Sequence, residues 1–340
     1  MKNKVLLVYL AMALMVSLVA ANRAAPAPKE EFKWRIQCAF GATDSAYYVD
    51  TVGIAQVLEE GSGGRIKCDT FPGGQLVGSE EMFAATKKGA IEAGVNMASS
   101  AAGVIPGVVT VQLPTAAQDY REQHELLYKW GLIGKLRPAF AKHKLHLLAA
   151  VYAGALGFQS TFAVNTLDDL KGKKAWNNAI LTPGFKNLGI VPTFIPGFDM
   201  YTALKLGTLD AIGWTLVELE SAKYKEVVKY MMLPRIGLGV NIIYINMDDW
   251  NALGSGLQKQ VQDYVDSKVL WLGEWLAGEE EKAVAAAKEY GVKFIKLTDA
   301  DVARFNQVHR KHWDKLAQKS SLAAECVQIN KDFVKSKRRW

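Results

Sequence analysis

The chain has 340 residues, 41 Lys or Arg against 34 Asp or Glu, half of its residues hydrophobic, and three cysteines. A formal charge of +7 is mild for this length and, the terminal KSKRRW apart, scattered rather than gathered into the basic stripe a nucleic-acid surface needs, and Cys38, Cys68 and Cys326 are too few and too far apart for a disulfide framework or a zinc site. A chain this long exceeds what one hydrophobic core supports, so two lobes are expected.

Lys2 and Lys4 precede an apolar run from Val5 to Ala21 that ends on small residues at Val19 and Ala21, the order of an export signal. The alternative is an uncleaved anchor helix, since the run approaches the ~20 residues that span a bilayer. Cleavage leaves 39 basic against 34 acidic residues, a charge of +5. A polar, proline-rich linker occupies 22–31. The alternation of Phe32 to Phe40 predicts a strand, and the apolar spacing from Ser45 to Leu58 predicts a helix that ends in a glycine corner. A second strand over Ile66 to Phe71 leads through a Pro-Gly turn to a helix from about Ser79 to Lys88, stopped by Gly89. Such short alternation of strand and helix is the pattern of a parallel sheet wrapped by helices. Cys38 and Cys68 lie in the two strands and read as small buried hydrophobes, with one disulfide plus a free thiol left open.

A weak internal repeat follows. ATKKGAIEAG at Ala85 to Gly94 is echoed by ALKLGTLDAI at Ala203 to Ile212, each preceded by an apolar run and a Pro-Gly turn. Two copies of one α/β unit imply two similar lobes, with a cleft where the carboxyl ends of their strands meet. Toward the end, residues 257–291 carry helical periodicity, 292–297 a strand, and the stretch after the cap candidates Thr298 and Asp299 another helix. Trp271 and Trp275, four apart, are expected to pack in the core. The terminal KSKRRW is expected to be a solvated tail.

No nucleophile, base and orienting group come together in the sequence, which favours binding over catalysis. His143 with His146, and His309 with His312, lack the further ligands of a metal site and read as surface or half-buried structural residues. The glycine turn at 71–78 has no phosphate-loop lysine, and Gly61 to Gly64 lies at a helix end, unlike a dinucleotide fingerprint. No cofactor is expected.

Over nearly the whole mature length, the ordered segments GGRIKCDTFPGGQLVGSEEMFAATKKGAIEAG, TLDDLKGKKAW, GIVPTFIPGFDMYTALKLGTLDA, ESAKYKEVVKYMMLP and INMDDWNAL make the chain similar to the periplasmic solute receptors of TRAP transporters, of the dicarboxylate-receptor type. The resemblance implies an α/β, two-lobed fold with long linking helices and a central cleft. It also implies as partners a small-molecule solute, expected to be a small organic acid, and the membrane components of a secondary transporter. On that basis 1–21 is a signal peptide, 32–150 lobe 1 with returning C-terminal segments, 151–250 lobe 2, and 251–340 helices packing on and between both lobes. A periplasmic location follows, with no stable membrane insertion after cleavage.

At the ligand positions the chain departs from the family. Trp176 stands where an arginine after the DLKG motif grips a carboxylate, and Gln159 stands at a second arginine position. The loop that usually reads Gln-Glu-Asn-Pro becomes Ile212, Gly213, Trp214 and Thr215. In some keto-acid receptors of the family a tryptophan also occupies this loop, where an ion helps bind the ligand, so the need for a metal is left open. Trp176 and Trp214 suit a flat or aromatic solute, with Gln159, Asn177 and Asn178 orienting its polar groups; the other reading is that Trp176 packs between the lobes. Phe40, Ser45, Tyr47, Ser99, Ser100, Tyr152, Tyr201 and Glu218 are further candidates for the cleft wall, with Glu218 able to hold an ion or a hydroxyl. Alternatives are a secreted α/β enzyme using Glu218 in the same cleft, and a sensor subunit for a membrane receptor.

Overall fold

A computed structural model describes residues 30–41, 47–178, 180–195 and 199–339. The expected signal at 1–21, all of the linker up to residue 29, and Ser45 lie outside the described residues. The strands are β1 (Phe32–Cys38), β2 (Ile66–Phe71), β3 (Ala93–Met97), β4 (Leu145–Ser160), β5 (Lys174–Asn177), β6 (Val191–Pro192), β7 (Ala211–Thr215), β8 (Tyr230–Asn246) and β9 (Lys293–Lys296). The helices are α1 (Gly53–Gly61), α2 (Met82–Lys87), α3 (Tyr120–His124), α4 (Leu132–Ala141), α5 (Thr182–Asn187), α6 (Met200–Lys205), α7 (Glu218–Ser221), α8 (Met247–Ala252), α9 (Gly254–Tyr290), α10 (Asp299–Ala317) and α11 (Ser321–Ser336).

The strand order is β2-β1-β3-β8-β4-β7-β5-β6, with β9 beside β8. It reads the same from either edge: a parallel trio centred on β1 joins β8, and a parallel trio centred on β5 joins β4, each through an antiparallel pairing. The sequence repeat maps onto this symmetry. The unit α2-turn-β3 ends its helix at Gly89, and α6-turn-β7 ends at Gly207, both with φ of 74°. That left-handed conformation strains any side chain but glycine, so the repeated glycine marks the same turn in each half.

The two halves are not cut from consecutive segments. β4 and β8, 16 and 17 residues long, run side by side through both. The first part of β4 and the last part of β8 belong with β3, while the last part of β4 and the first part of β8 belong with β7 and β9. Residues 241–245 therefore return to the first half. Both strands are nearly all buried, so their apolar runs show no two-residue alternation.

Between the halves, the β4–β8 register shifts from Tyr152 to Ala155. Gly154 has φ of 104°, and a Cβ there would stand 3.0 Å from Glu280 Oε1 and 3.2 Å from Thr215 Cβ. The bulge is held from outside by α9, a helix of 37 residues and about 55 Å. Gln260 and Gln262 of α9 donate to the Gly61 and Leu148 carbonyls at 2.7 and 3.0 Å. Further along, the buried Glu280 accepts from the Ala155 N–H and, at 2.8 Å, from the Tyr152 hydroxyl. Burial raises the Glu280 carboxyl above the ordinary range.

Three expectations are corrected. Trp271 and Trp275 are 54% and 45% exposed, because they lie on the face of α9 turned away from β4. The basic terminus is docked: Lys337 pairs with Glu125 and Arg339 with Glu122, both at 2.8 Å, and Arg310 donates to the Arg339 carbonyl. His309 is fully buried between Phe185 and Phe305, where burial pushes its pKa down to about 3, and it is structural in a deeper sense than a surface residue. His146 stacks on Trp250 at 3.9 Å. Cys38 and Cys326 are buried, Cys68 half-buried, and none of the three is joined in a disulfide among the described residues.

Candidate functional site

Where β4 and β8 cross between the halves, a cleft opens at the carboxyl ends of the parallel strands, the place where open α/β sheets bind ligands. The first half supplies Phe40 and Met97, just past β1 and at the end of β3, with Val240 and Asn241 of β8. The second half supplies Leu156 of β4, Asn178 past β5, Trp214 and Thr215 at the end of β7, and Glu218 at the start of α7, while Ala153 and Gly239 line the crossing itself. The cavity volume is about 30 Å³, room for two waters at the ~10–15 Å³ each needs. That is too little for an organic solute in this arrangement of the halves.

Strand pleat decides which candidates share this face. Gln159 and Trp176 both register with Ile212, so the three side chains lie on one side of the sheet, and Trp214 and Asn178 follow two residues along. Trp176 is 8% exposed and stands edge-on to Trp214, ring centroids 4.7 Å apart. It backs the half-exposed Trp214, which lines the cleft directly. The buried indole N–H of Trp176 has no partner. Gln159, wholly buried, donates to the Trp214 and Thr215 carbonyls at 3.2 Å each, fixing the end of β7. Asn178 lines the cleft, its Oδ1 accepting from the Leu181 N–H at 3.0 Å and its Nδ2 without partner. Glu218, 4% exposed, accepts from the Ser221 hydroxyl.

Other candidates lie elsewhere. Asn177 alternates to the opposite face, where its Oδ1 crowds Gly213 so closely that a Cβ there would approach to 2.2 Å. Tyr152 turns to α9 and Glu280, and Tyr201 donates to Glu226 at 2.8 Å on an exposed surface. Ser99 sits in a short 3-10 turn at Ala98–Ala101 beside Ser100, whose hydroxyl donates to the Met97 carbonyl; neither lines the cleft. The side chain of Tyr47 lies outside the described residues.

Two residues the sequence reading passed over belong to the site. Asn241 lines the cleft and is 1% exposed; its Nδ2 donates to Asp50 Oδ2 at 2.5 Å, and its Oδ1 has no partner. Burial without a cationic neighbour pushes the Asp50 pKa up to about 7. A lone amide inside the apolar run LGVNIIYI was the available signal. Among the described residues, no group of three His, Cys, Asp or Glu could hold a metal, and no helix is long and apolar enough to cross a membrane. A roomier hollow of about 390 Å³ lies between α1 and α9, walled by Val52, Glu60, Lys268, Trp271 and Trp275. It lies away from the strand ends, and none of its walls holds a buried polar atom without a partner, so the narrower cleft is the better candidate.

The family described as bacterial extracellular solute-binding protein, family 7 (DctP), matches residues 40–320. The 2,3-diketo-L-gulonate-binding periplasmic protein YiaO of Escherichia coli (strain K12) is 26% identical over 254 residues, 74% of this chain and 76% of that protein. The C4-dicarboxylate-binding periplasmic protein DctP of Rhodobacter capsulatus is 25% identical over 285 residues, 80% of this chain and 82% of that protein. Among solved structures, a TRAP periplasmic solute-binding protein from Chromohalobacter salexigens with bound (S)-(+)-2-amino-1-propanol superposes with a TM-score of 0.79 at 24% identity, covering 91% of this chain and 97% of that one.

Proposed function

The chain belongs to the bacterial extracellular solute-binding proteins of family 7, and from that premise we propose that the cleft between its halves binds a small organic acid with a flat or apolar body. It is a TRAP-type extracytoplasmic receptor, working in the periplasm and delivering its solute to membrane components. The reading of this particular cleft rests on one observation above the others: Asn178 from one half and Asn241 from the other each keep a buried polar atom without a partner on the same pocket. An unsatisfied buried polar atom costs about 1–3 kcal/mol, and two of them facing one cleft from opposite halves are groups that a ligand there can satisfy. Binding then favours the closed arrangement in proportion to the contacts made only when both halves are together.

Within that reading, Trp214 and Phe40 hold the flat body, Trp176 supports Trp214, Asn178 and Asn241 meet polar groups, and Glu218 is the acid at the rim of the site. The relatives named for diketogulonate and C4-dicarboxylates support an organic acid as the class. We read the cleft as a receptor rather than an active site, since among the described residues its wall carries a single titratable side chain and no acid–base pair. The test is a metabolite screen by thermal shift, followed by native mass spectrometry of the chain lacking residues 1–21. The expected outcome is stabilisation by one or a few organic acids, retained one per chain and released unchanged. Failure of every solute to stabilise it, or recovery of a converted product, would sink the reading.

A further inference from the structure

The two cleft amides are oriented by the chain itself, in opposite senses. At Asn178 the Leu181 N–H is the neighbour, 3.0 Å from Oδ1. A backbone N–H only donates, so the oxygen must face it, and Nδ2, a donor, is the end left over. At Asn241 the neighbour is Asp50 Oδ2, a carboxyl oxygen at 2.5 Å that accepts from Nδ2 when the carboxyl is ionised or carries its proton on Oδ1, so the end left over is the acceptor Oδ1. One residue lies past β5 in the second half, the other on the returning part of β8 in the first. Both are at least nine-tenths buried and line the same cleft.

We propose that the solute of this receptor is an organic acid that also carries an N–H or O–H donor, with an acceptor meeting Asn178 Nδ2 and the donor meeting Asn241 Oδ1, so that one molecule bridges the two halves. The proposal rests on the cleft being the solute site. A bare carboxylate can satisfy Asn178 but turns only oxygen toward Asn241, leaving that amide unsatisfied and adding repulsion. A hydroxy acid, an amino acid or a lactam acid satisfies both. Among the described residues the remaining lining points the same way: it contains no Lys, Arg or His, and its ionisable side chain is an acid, Glu218. With Trp176 in place of a guanidinium, the acid's charge meets neutral N–H groups, and selectivity shifts from charge to the donor–acceptor pattern.

The experiment is calorimetry on the chain lacking residues 1–21 with acids arranged as matched pairs: mandelate against phenylglyoxylate, lactate against pyruvate, pyroglutamate against 3-oxocyclopentanecarboxylate. The members of each pair share a skeleton and differ in the donor. In the pairs that bind, the donor-bearing acid is expected to bind about tenfold tighter or more. Asn241→Leu should bring the ratio near one, by weakening the donor-bearing acid and relieving the repulsion on the donor-free one. Asp50→Asn, which frees the Asn241 amide to turn over, should also shrink the ratio and serves if the leucine variant does not fold. Donor-free acids that bind as tightly as their partners, or a ratio unchanged in both variants, overturn the proposal while the receptor reading stands, because solute still binds. If no acid of any pair binds and the wider metabolite screen is also empty, both fall together.

Discussion

Two sets of buried polar groups sit within the crossing of β4 and β8, and they are finished differently. At the bulge, both oxygens of Glu280 have partners, the Ala155 N–H and the Tyr152 hydroxyl, so the carboxyl raised by burial is completed by the chain itself. In the cleft, Asn178 and Asn241 are each held at one end only. The first set holds the bulge between the halves to α9 and contributes to stability with or without solute. In the proposed function the second leaves part of the folded state's hydrogen bonding to a guest, which is how a binding site can be stable when empty yet tighter when filled.

The comparison is broken most forcefully at the pin. Glu280→Ala strands the Tyr152 hydroxyl and the Ala155 N–H in a dry place and should cost about 3 kcal/mol of stability, read as a lower denaturation midpoint, while the order of preference among bound solutes is kept. Loss of preference with stability intact would mean that the bulge belongs to the site. Trp214→Ala removes the half-exposed wall of the cleft and should weaken solute binding about tenfold or more while changing stability by under about 1 kcal/mol, measured by calorimetry and chemical denaturation.

A smaller effect sharpens the cleft side. Asp50 has its folded-state pKa raised from 3.8 to about 7, so between those values the folded chain holds a proton that the unfolded chain has lost. Its contribution to stability is therefore greatest at the acidic end of that window and declines as pH rises toward 7. Midpoints of the solute-free chain between pH 5 and 8 should show this decline, and Asp50→Asn should flatten it; an unaltered slope would remove Asp50 from the account. The smallest effect is expected at Trp271→Ala and Trp275→Ala, within about 0.5 kcal/mol in stability, with solute affinity unchanged. A large loss of binding there would move the site to the outer hollow.

The fold was legible because its signals are local and repeated. Gly89 and Gly207, the Pro-Gly turns before them and the apolar strands after them are turn chemistry that survives without any view of tertiary contacts. The crossing was not legible: β4 and β8 are buried on both faces, so nothing in their continuous apolar runs tells where one half ends and the other begins. Helical spacing likewise places Trp271 and Trp275 on one stripe without saying which face of α9 meets the sheet. In the site, Trp176, Trp214, Asn178, Phe40 and Glu218 were singled out beforehand, and the structure brings them together. Asn241 and Asp50 were missed, because their pairing joins residues 191 positions apart, and no sequence pattern reports a contact of that range. Tyr152 and Tyr201 were drawn in as aromatic residues near strand ends, yet their hydroxyls are already committed to Glu280 and Glu226.

The most direct test of a cleft that shuts on its solute is a distance measured across it. Spin labels on exposed Lys67 of the first half and exposed Lys186 of the second would report that distance in solution by pulsed electron resonance. The account predicts a broad or longer distribution without solute that narrows to one shorter distance when a bound organic acid is added, and a weaker response in Asn241→Leu. A distribution that is the same with and without a solute known to bind would contradict it.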